Sequence, residues 1–125
     1  MTKKVLLVDD DPVFVEVVKN RLAHENYEIR TACDRVEFTR QALRETPDII
    51  LLDIMLGKDN GPEIYSQLIA DGFDPKVPVI IMSSLCEDEP PANISPHQKV
   101  ILHTKCFSSG ALVKEMEKLT HAKAA

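Results

Sequence analysis

The 125-residue sequence has no tryptophan, only three cysteines, no basic cluster and no apolar run longer than a few residues. Runs that short exclude a membrane-spanning helix and a signal-peptide core. Cys33, Cys86 and Cys106 are odd in number, widely spaced and free of any C-x-x-C pair. They therefore do not read as a disulfide framework, and a reducing cytoplasm is the expected compartment. The four histidines, His24, His97, His103 and His121, share no metal-ligand spacing and read as surface or edge residues. Twenty acidic against fifteen basic side chains leave a net charge of -5, which repels a nucleic-acid backbone and argues against direct DNA binding. What is present, 44% hydrophobic and 28% charged residues, fits one domain over residues 1–125 that can build its core without disulfides or structural metal.

Four runs are apolar without alternation: Val5 to Val8, Ile49 to Leu52, Val79 to Met82 and Val100 to Leu102. That pattern predicts strands covered on both faces, and a weaker fifth strand fits Tyr27 to Ala32. Helical spacing joins Phe14, Val17, Val18 and Leu22, with Asp11 as cap and Pro12 at the first helical position. A second helix begins at Asp34, where Glu37 completes a capping box. A third runs from about Pro62 to Ala70, burying Ile64, Leu68 and Ile69, and Gly72 marks its end. A last helix, after the cap candidate Ser108, carries Leu112, Met116 and Leu119, and the tail from Thr120 to Ala125 is expected to fray. Strands alternating with helices predict an α/β fold, a doubly wound five-stranded parallel sheet with helices on both faces.

One unit breaks the rhythm. The stretch Glu87-Asp88-Glu89-Pro90-Pro91-Ala92-Asn93-Ile94-Ser95-Pro96 carries three prolines where a crossover helix belongs, so the fourth helix is expected to be replaced or shortened. Residues 87–98 are expected to be the most mobile internal segment.

Ligands of such sheets collect beyond the carboxyl ends of the strands, and the residues there are mostly polar. Asp9, Asp10 and Asp11 follow the first run, Asp53 ends the third, Ser83 and Ser84 the fourth, and Thr104 and Lys105 the fifth. Carboxylates gathered in this way repel one another and repel phosphate, so the site calls for a cation. Mg2+ fits best, being an oxygen-seeking ion held through one or two carboxylates plus a phosphate, and no His or Cys at these strand ends suits zinc. A carboxylate is also a known type of phosphoryl acceptor.

Four segments in order carry a family resemblance: Leu6-Leu7-Val8-Asp9-Asp10-Asp11-Pro12, then Asp48-Ile49-Ile50-Leu51-Leu52-Asp53-Ile54-Met55-Leu56 with Gly61 beyond it, then Ser83, then Thr104-Lys105. Over roughly Lys3 to Leu119 the chain resembles the receiver domain of two-component response regulators, of the chemotaxis-regulator type. The resemblance implies flavodoxin-like strand order 2-1-3-4-5 and phosphorylation on Asp53 by a histidine kinase or histidine phosphotransfer protein. It implies that Asp9, Asp10, Asp53 and the Met55 carbonyl organise Mg2+, that Ser83 and Lys105 contact the phosphoryl oxygens, and that a downstream protein reads the result. Catalysis would be confined to the domain's own phosphorylation and dephosphorylation. Asp11 reads as a helix cap rather than a ligand, and Cys33 and Cys86 as packing residues.

Departures from the pattern lie mostly on the output side. Cys106 replaces the usual proline after the lysine, Leu102 an aromatic, and the proline-rich stretch a helix. Gly57 stands where proline is common, which should loosen the loop after Asp53. A non-proline cis bond costs roughly 2.5 to 4 kcal/mol, so a trans Lys105–Cys106 bond is expected. The alternative function is a pseudo-receiver, a binding module regulated without phosphate. A haloacid-dehalogenase-type phosphatase needs a second aspartate where Met55 stands, and a flavodoxin needs a Ser/Thr/Gly-rich loop where this chain has three acids.

Overall fold

The computed structural model describes residues 2–83, 100–104 and 109–124. Along the chain these form β1 (Lys3–Val8), α1 (Pro12–Leu22), β2 (Tyr27–Ala32), α2 (Arg35–Arg44), β3 (Ile49–Asp53), β4 (Met55–Leu56), β5 (Asp59–Asn60), α3 (Gly61–Ala70), β6 (Val79–Ser83), β7 (Val100–Thr104) and α4 (Ser109–Ala124). Five strands make one parallel sheet in the order β2-β1-β3-β6-β7, and β4 and β5 make a separate antiparallel ribbon. With the ribbon set aside, this is the 2-1-3-4-5 order expected. The proline-rich stretch, Lys105, Cys106 and Ser108 lie outside the described residues, and with them the expectations of a replaced helix, a mobile segment, a trans bond and a Ser108 cap.

Strands whose residues are apolar on both faces divide two cores between them. Leu6, Val8, Ile50, Leu52, Val79 and Ile81 point to one side, where Phe38 and Ala42 of α2 and Ile64, Tyr65 and Leu68 of α3 cover them. Val5, Leu7, Ile49, Leu51, Ile80 and Met82 point to the other, under Val18 and Leu22 of α1 and Leu112, Val113 and Met116 of α4. Ile69 packs at the margin of the first core and Leu119 at the margin of the second.

The helix starts follow the caps. Asp11 accepts hydrogen bonds from the N–H groups of Val13 and Phe14 with Pro12 at the first turn, and Asp34 accepts from the Glu37 N–H. Such caps satisfy amide donors that a helix leaves open at its start. α3 begins one residue earlier than expected because Asn60, whose side chain accepts from the Glu63 N–H, is its cap. Gly72 beyond its end adopts φ +106°, a left-handed conformation that glycine tolerates.

Three expectations are corrected. Val17 is 57% exposed, because α1 is turned so that Val15 packs at the core margin instead. The tail does not fray at Thr120: the helix continues to Ala124, and Thr120 is buried with its hydroxyl donating to the Met116 carbonyl at 2.9 Å. Cys33 does not pack but is exposed at the end of β2.

Candidate functional site

β1 and β3 are neighbours in register, Val8 opposite Leu52, so both chains leave the sheet at the same edge. Asp9 follows Val8 directly, and its N–H donates to the Ala32 carbonyl of β2 at 3.0 Å, which prolongs the ladder by one rung. Its carboxylate accepts the Asp11 N–H at 2.9 Å and so shapes the turn into α1. Asp53 is the last residue of β3, in register with Met82 of β6. Asp9 is 1% exposed and Asp53 7%, which makes them buried acids at the mouth of the sheet, whereas Asp10 is exposed.

Carboxylate oxygens of Asp9, Asp10 and Asp53 lie within 4.8 Å of one another. Among the described residues no other three His, Cys, Asp or Glu side chains are grouped in this way. Three like charges so close raise the electrostatic energy of the site unless a cation or proton offsets them. Hard, oxygen-only donors fit a small divalent ion such as Mg2+ rather than a thiophilic one.

Of the other expected site residues, Met55 stands in β4 two residues beyond Asp53, paired with Asn60, with its side chain half exposed. Ser83 ends β6 opposite Thr104 of β7, one residue past the Asp53 partner Met82. That register carries Ser83 and Thr104 to the same edge of the sheet as the three aspartates. Lys105 lies outside the described residues. Asp11 caps its helix and does not join the group.

Sequence reasoning missed the ribbon that follows Asp53. Met55 pairs with Asn60 and Leu56 with Asp59, closing a hairpin over the two residues Gly57 and Lys58. Gly57 has φ +61°, and its N–H donates to Asp10 Oδ2 at 2.8 Å. At Gly57 the glycine supplies a tether that proline, having no N–H, could not make. A glycine before a polar residue between two short segments is the signal that could have revealed the hairpin.

A cleft of about 230 Å³ beside the group is lined by Asp9, Asp10, Pro12, Val15, Glu16, Thr31, Ala32 and Cys33. The Cys33 thiol, 3.7 Å from a Glu37 carboxylate oxygen, is raised above its ordinary pKa by desolvation and by Asp34 and Glu37. A larger cleft of about 340 Å³, lined by Lys3, His24, Glu25, Asn26, Tyr27, Glu117 and Thr120, lies at the start of β1 and β2, away from the acids.

The family model for the response regulator receiver domain matches residues 5–117. The chain belongs to that family. Receiver domains are signalling domains whose phosphoacceptor role serves two-component systems. The alkaline phosphatase synthesis transcriptional regulatory protein PhoP of Bacillus subtilis is 41% identical over 68 residues, which is 54% of this chain and 28% of that protein. Regulatory protein VanRB of Enterococcus faecalis is 29% identical over 119 residues, 95% of this chain and 53% of its own. This receiver thus spans about half or less of the length of these relatives. Among solved structures, the Francisella response regulator 1452 receiver domain superposes with a TM-score of 0.79 at 22% identity, covering 98% of this chain and 99% of that one. Chemotaxis protein CheY4 of Vibrio cholerae gives 0.78 at 21% identity, covering 95% and 99%. These likenesses establish the fold. Among the described residues no helix is long and apolar enough to cross a membrane.

Proposed function

We propose that this receiver accepts a phosphoryl group on Asp53 from the phosphohistidine of a histidine kinase or histidine phosphotransfer protein, and signals by binding a downstream protein in the cytoplasm. The observation that carries the reading is the convergence of Asp9, Asp10 and Asp53 at one edge of the sheet, with two of the three buried. Asp9, Asp10, Asp53 and the Met55 carbonyl would hold Mg2+, which when bound offsets their charge and that of the phosphoryl oxygens.

The protein's own part is nucleophilic. An Asp53 carboxylate oxygen attacks phosphorus, the bond from phosphorus to the donor's imidazole nitrogen breaks, and an acyl phosphate remains on Asp53. Burial at the strand end restricts the Asp53 side chain and so limits the orientational freedom lost on reaction. Ser83 and Lys105 are proposed to hold the phosphoryl oxygens, as hydroxyl and ammonium donors.

The test is transfer of radiolabelled phosphate from a phosphorylated histidine phosphotransfer protein. Label is expected on the wild type and absent from Asp53→Asn. Equal labelling of the two proteins would remove Asp53 as the acceptor, and no labelling of either would favour a pseudo-receiver that binds without phosphate.

A further inference from the structure

The Gly57 amide bonds to the one exposed member of the acidic group. Asp9 and Asp53 are fixed by burial, but Asp10 stands in solvent, beside two carboxylates of its own sign. Repulsion and side-chain entropy both favour swinging such a side chain away from the group. Yet its oxygen remains within 4.8 Å of the others, and the Gly57 N–H reaches Oδ2 at 2.8 Å, a distance typical of a charge-assisted hydrogen bond.

The donor is itself well placed. Leu56, immediately before it, is buried in the first core, and pairing of Met55 with Asn60 and of Leu56 with Asp59 fixes the turn. A left-handed φ of +61° at Gly57 is open to glycine, tolerable for asparagine and closed to proline.

We propose that Gly57 is a positioning residue for the cation site: its amide holds Asp10 in the acidic group and so prepares the group for Mg2+ before the ion arrives. The amide occupies one lone pair of Asp10 Oδ2 and leaves the rest of the carboxylate available to the cation. The inference rests on the metal reading above and goes beyond it by placing part of the ion's affinity in the hairpin.

Isotope-labelled protein titrated with magnesium chloride and followed by NMR tests it, using wild type, Gly57→Pro, Gly57→Asn and Asp10→Ala. Without metal, the Gly57 amide should exchange with solvent faster in Asp10→Ala than in wild type, which reads the tether independently of phosphorylation. Gly57→Pro, which loses the N–H and also disturbs the turn, should bind Mg2+ more weakly by roughly tenfold or more, in line with loss of one hydrogen bond to a charged group. Gly57→Asn, which keeps the N–H and tolerates the turn, should stay within about twofold of wild type.

Equal weakening in the Pro and Asn variants would assign the effect to turn shape and overturn the inference. Unchanged or tighter binding in Gly57→Pro would also overturn it, as would an amide indifferent to Asp10→Ala. A wild-type protein that binds no Mg2+ would defeat the metal reading itself, a result distinct from the others.

Discussion

Gly61 is pressed against Asp53 so closely that a Cβ at its position would be driven into the Asp53 carbonyl oxygen and would also crowd a Leu52 methyl. The first residue of α3 and the last residue of β3 therefore share space that only a hydrogen can fill. The contact is fastened by the Gly61 N–H, which donates to the Ile54 carbonyl at 2.7 Å. The start of α3 thus forms a wall behind the proposed acceptor.

Gly61→Ala is expected to destabilise the fold by about 2 to 3 kcal/mol, because the obstructing atoms are backbone and cannot rotate aside. It should also displace Asp53 and slow phosphorylation. Denaturant unfolding and the rate of phosphorylation check the two effects, and a variant with wild-type stability would refute the contact.

Asp10→Asn should raise stability in the absence of divalent ions and remove the stabilisation that Mg2+ gives the wild type. Neutralising one of three clustered carboxylates relieves repulsion, on the order of 1 kcal/mol for an exposed member. The amide oxygen of asparagine still accepts the Gly57 N–H, so the hairpin should hold. Thermal unfolding with EDTA and with Mg2+ separates the two terms, since an ion that binds only the folded chain raises its melting temperature.

The Tyr65 hydroxyl is buried in the first core and makes no hydrogen bond among the described residues. Burial, with the Asp74 carboxylate adding to it, pushes the phenol up to about 12. An unfolded phenol releases its proton near 10, so both states hold it at lower pH. Between roughly pH 10 and 12 only the unfolded chain has let it go, and stability falls as pH rises through that window. Tyr65→Phe should be as stable as wild type at neutral pH, or more stable by about 1 kcal/mol, and should lose less stability in that alkaline window. Its pH-dependent unfolding profile is the check.

Asp34→Ala should cost about 1 kcal/mol, the worth of the cap that accepts the Glu37 N–H at 2.8 Å, and leave phosphorylation unchanged. A melting-temperature scan beside a phosphorylation assay distinguishes this from damage at the site.

Four of the five sheet strands were legible because their residues are apolar without alternation, a pattern that fits positions covered on both sides, whereas β2 at the sheet edge carries Glu28 and Arg30 and left a weaker trace. The doubly wound parallel sheet followed from the alternation of these runs with capped helices, its strand order came from the family resemblance alone, and the placement of Asp9, Asp10 and Asp53 followed from what ends each run. Periodicity spoke less clearly in α1, where Val15 and Val17 are equally apolar and only packing decided which faced inward. The ribbon after Asp53 left little trace, since Met55-Leu56 and Asp59-Asn60 are too short to show a period. Tyr65 carries a hydroxyl that gives no sequence signal for burial, yet its ring is wholly buried, edge-on to Phe73 with centroids 6.4 Å apart. The Gly57 tether could not be read from sequence because it joins segments 47 positions apart through a backbone atom common to every non-proline residue.

Every role proposed for this receiver depends on Asp53 as the phosphoryl acceptor. Intact-mass spectrometry of the protein incubated with acetyl phosphate and Mg2+ measures this directly. The wild type should gain one phosphoryl group, the gain should disappear when EDTA removes the metal, and Asp53→Asn should gain none. A wild type that stays unmodified with Mg2+ present, or an Asp53→Asn protein that gains the same mass, would contradict it.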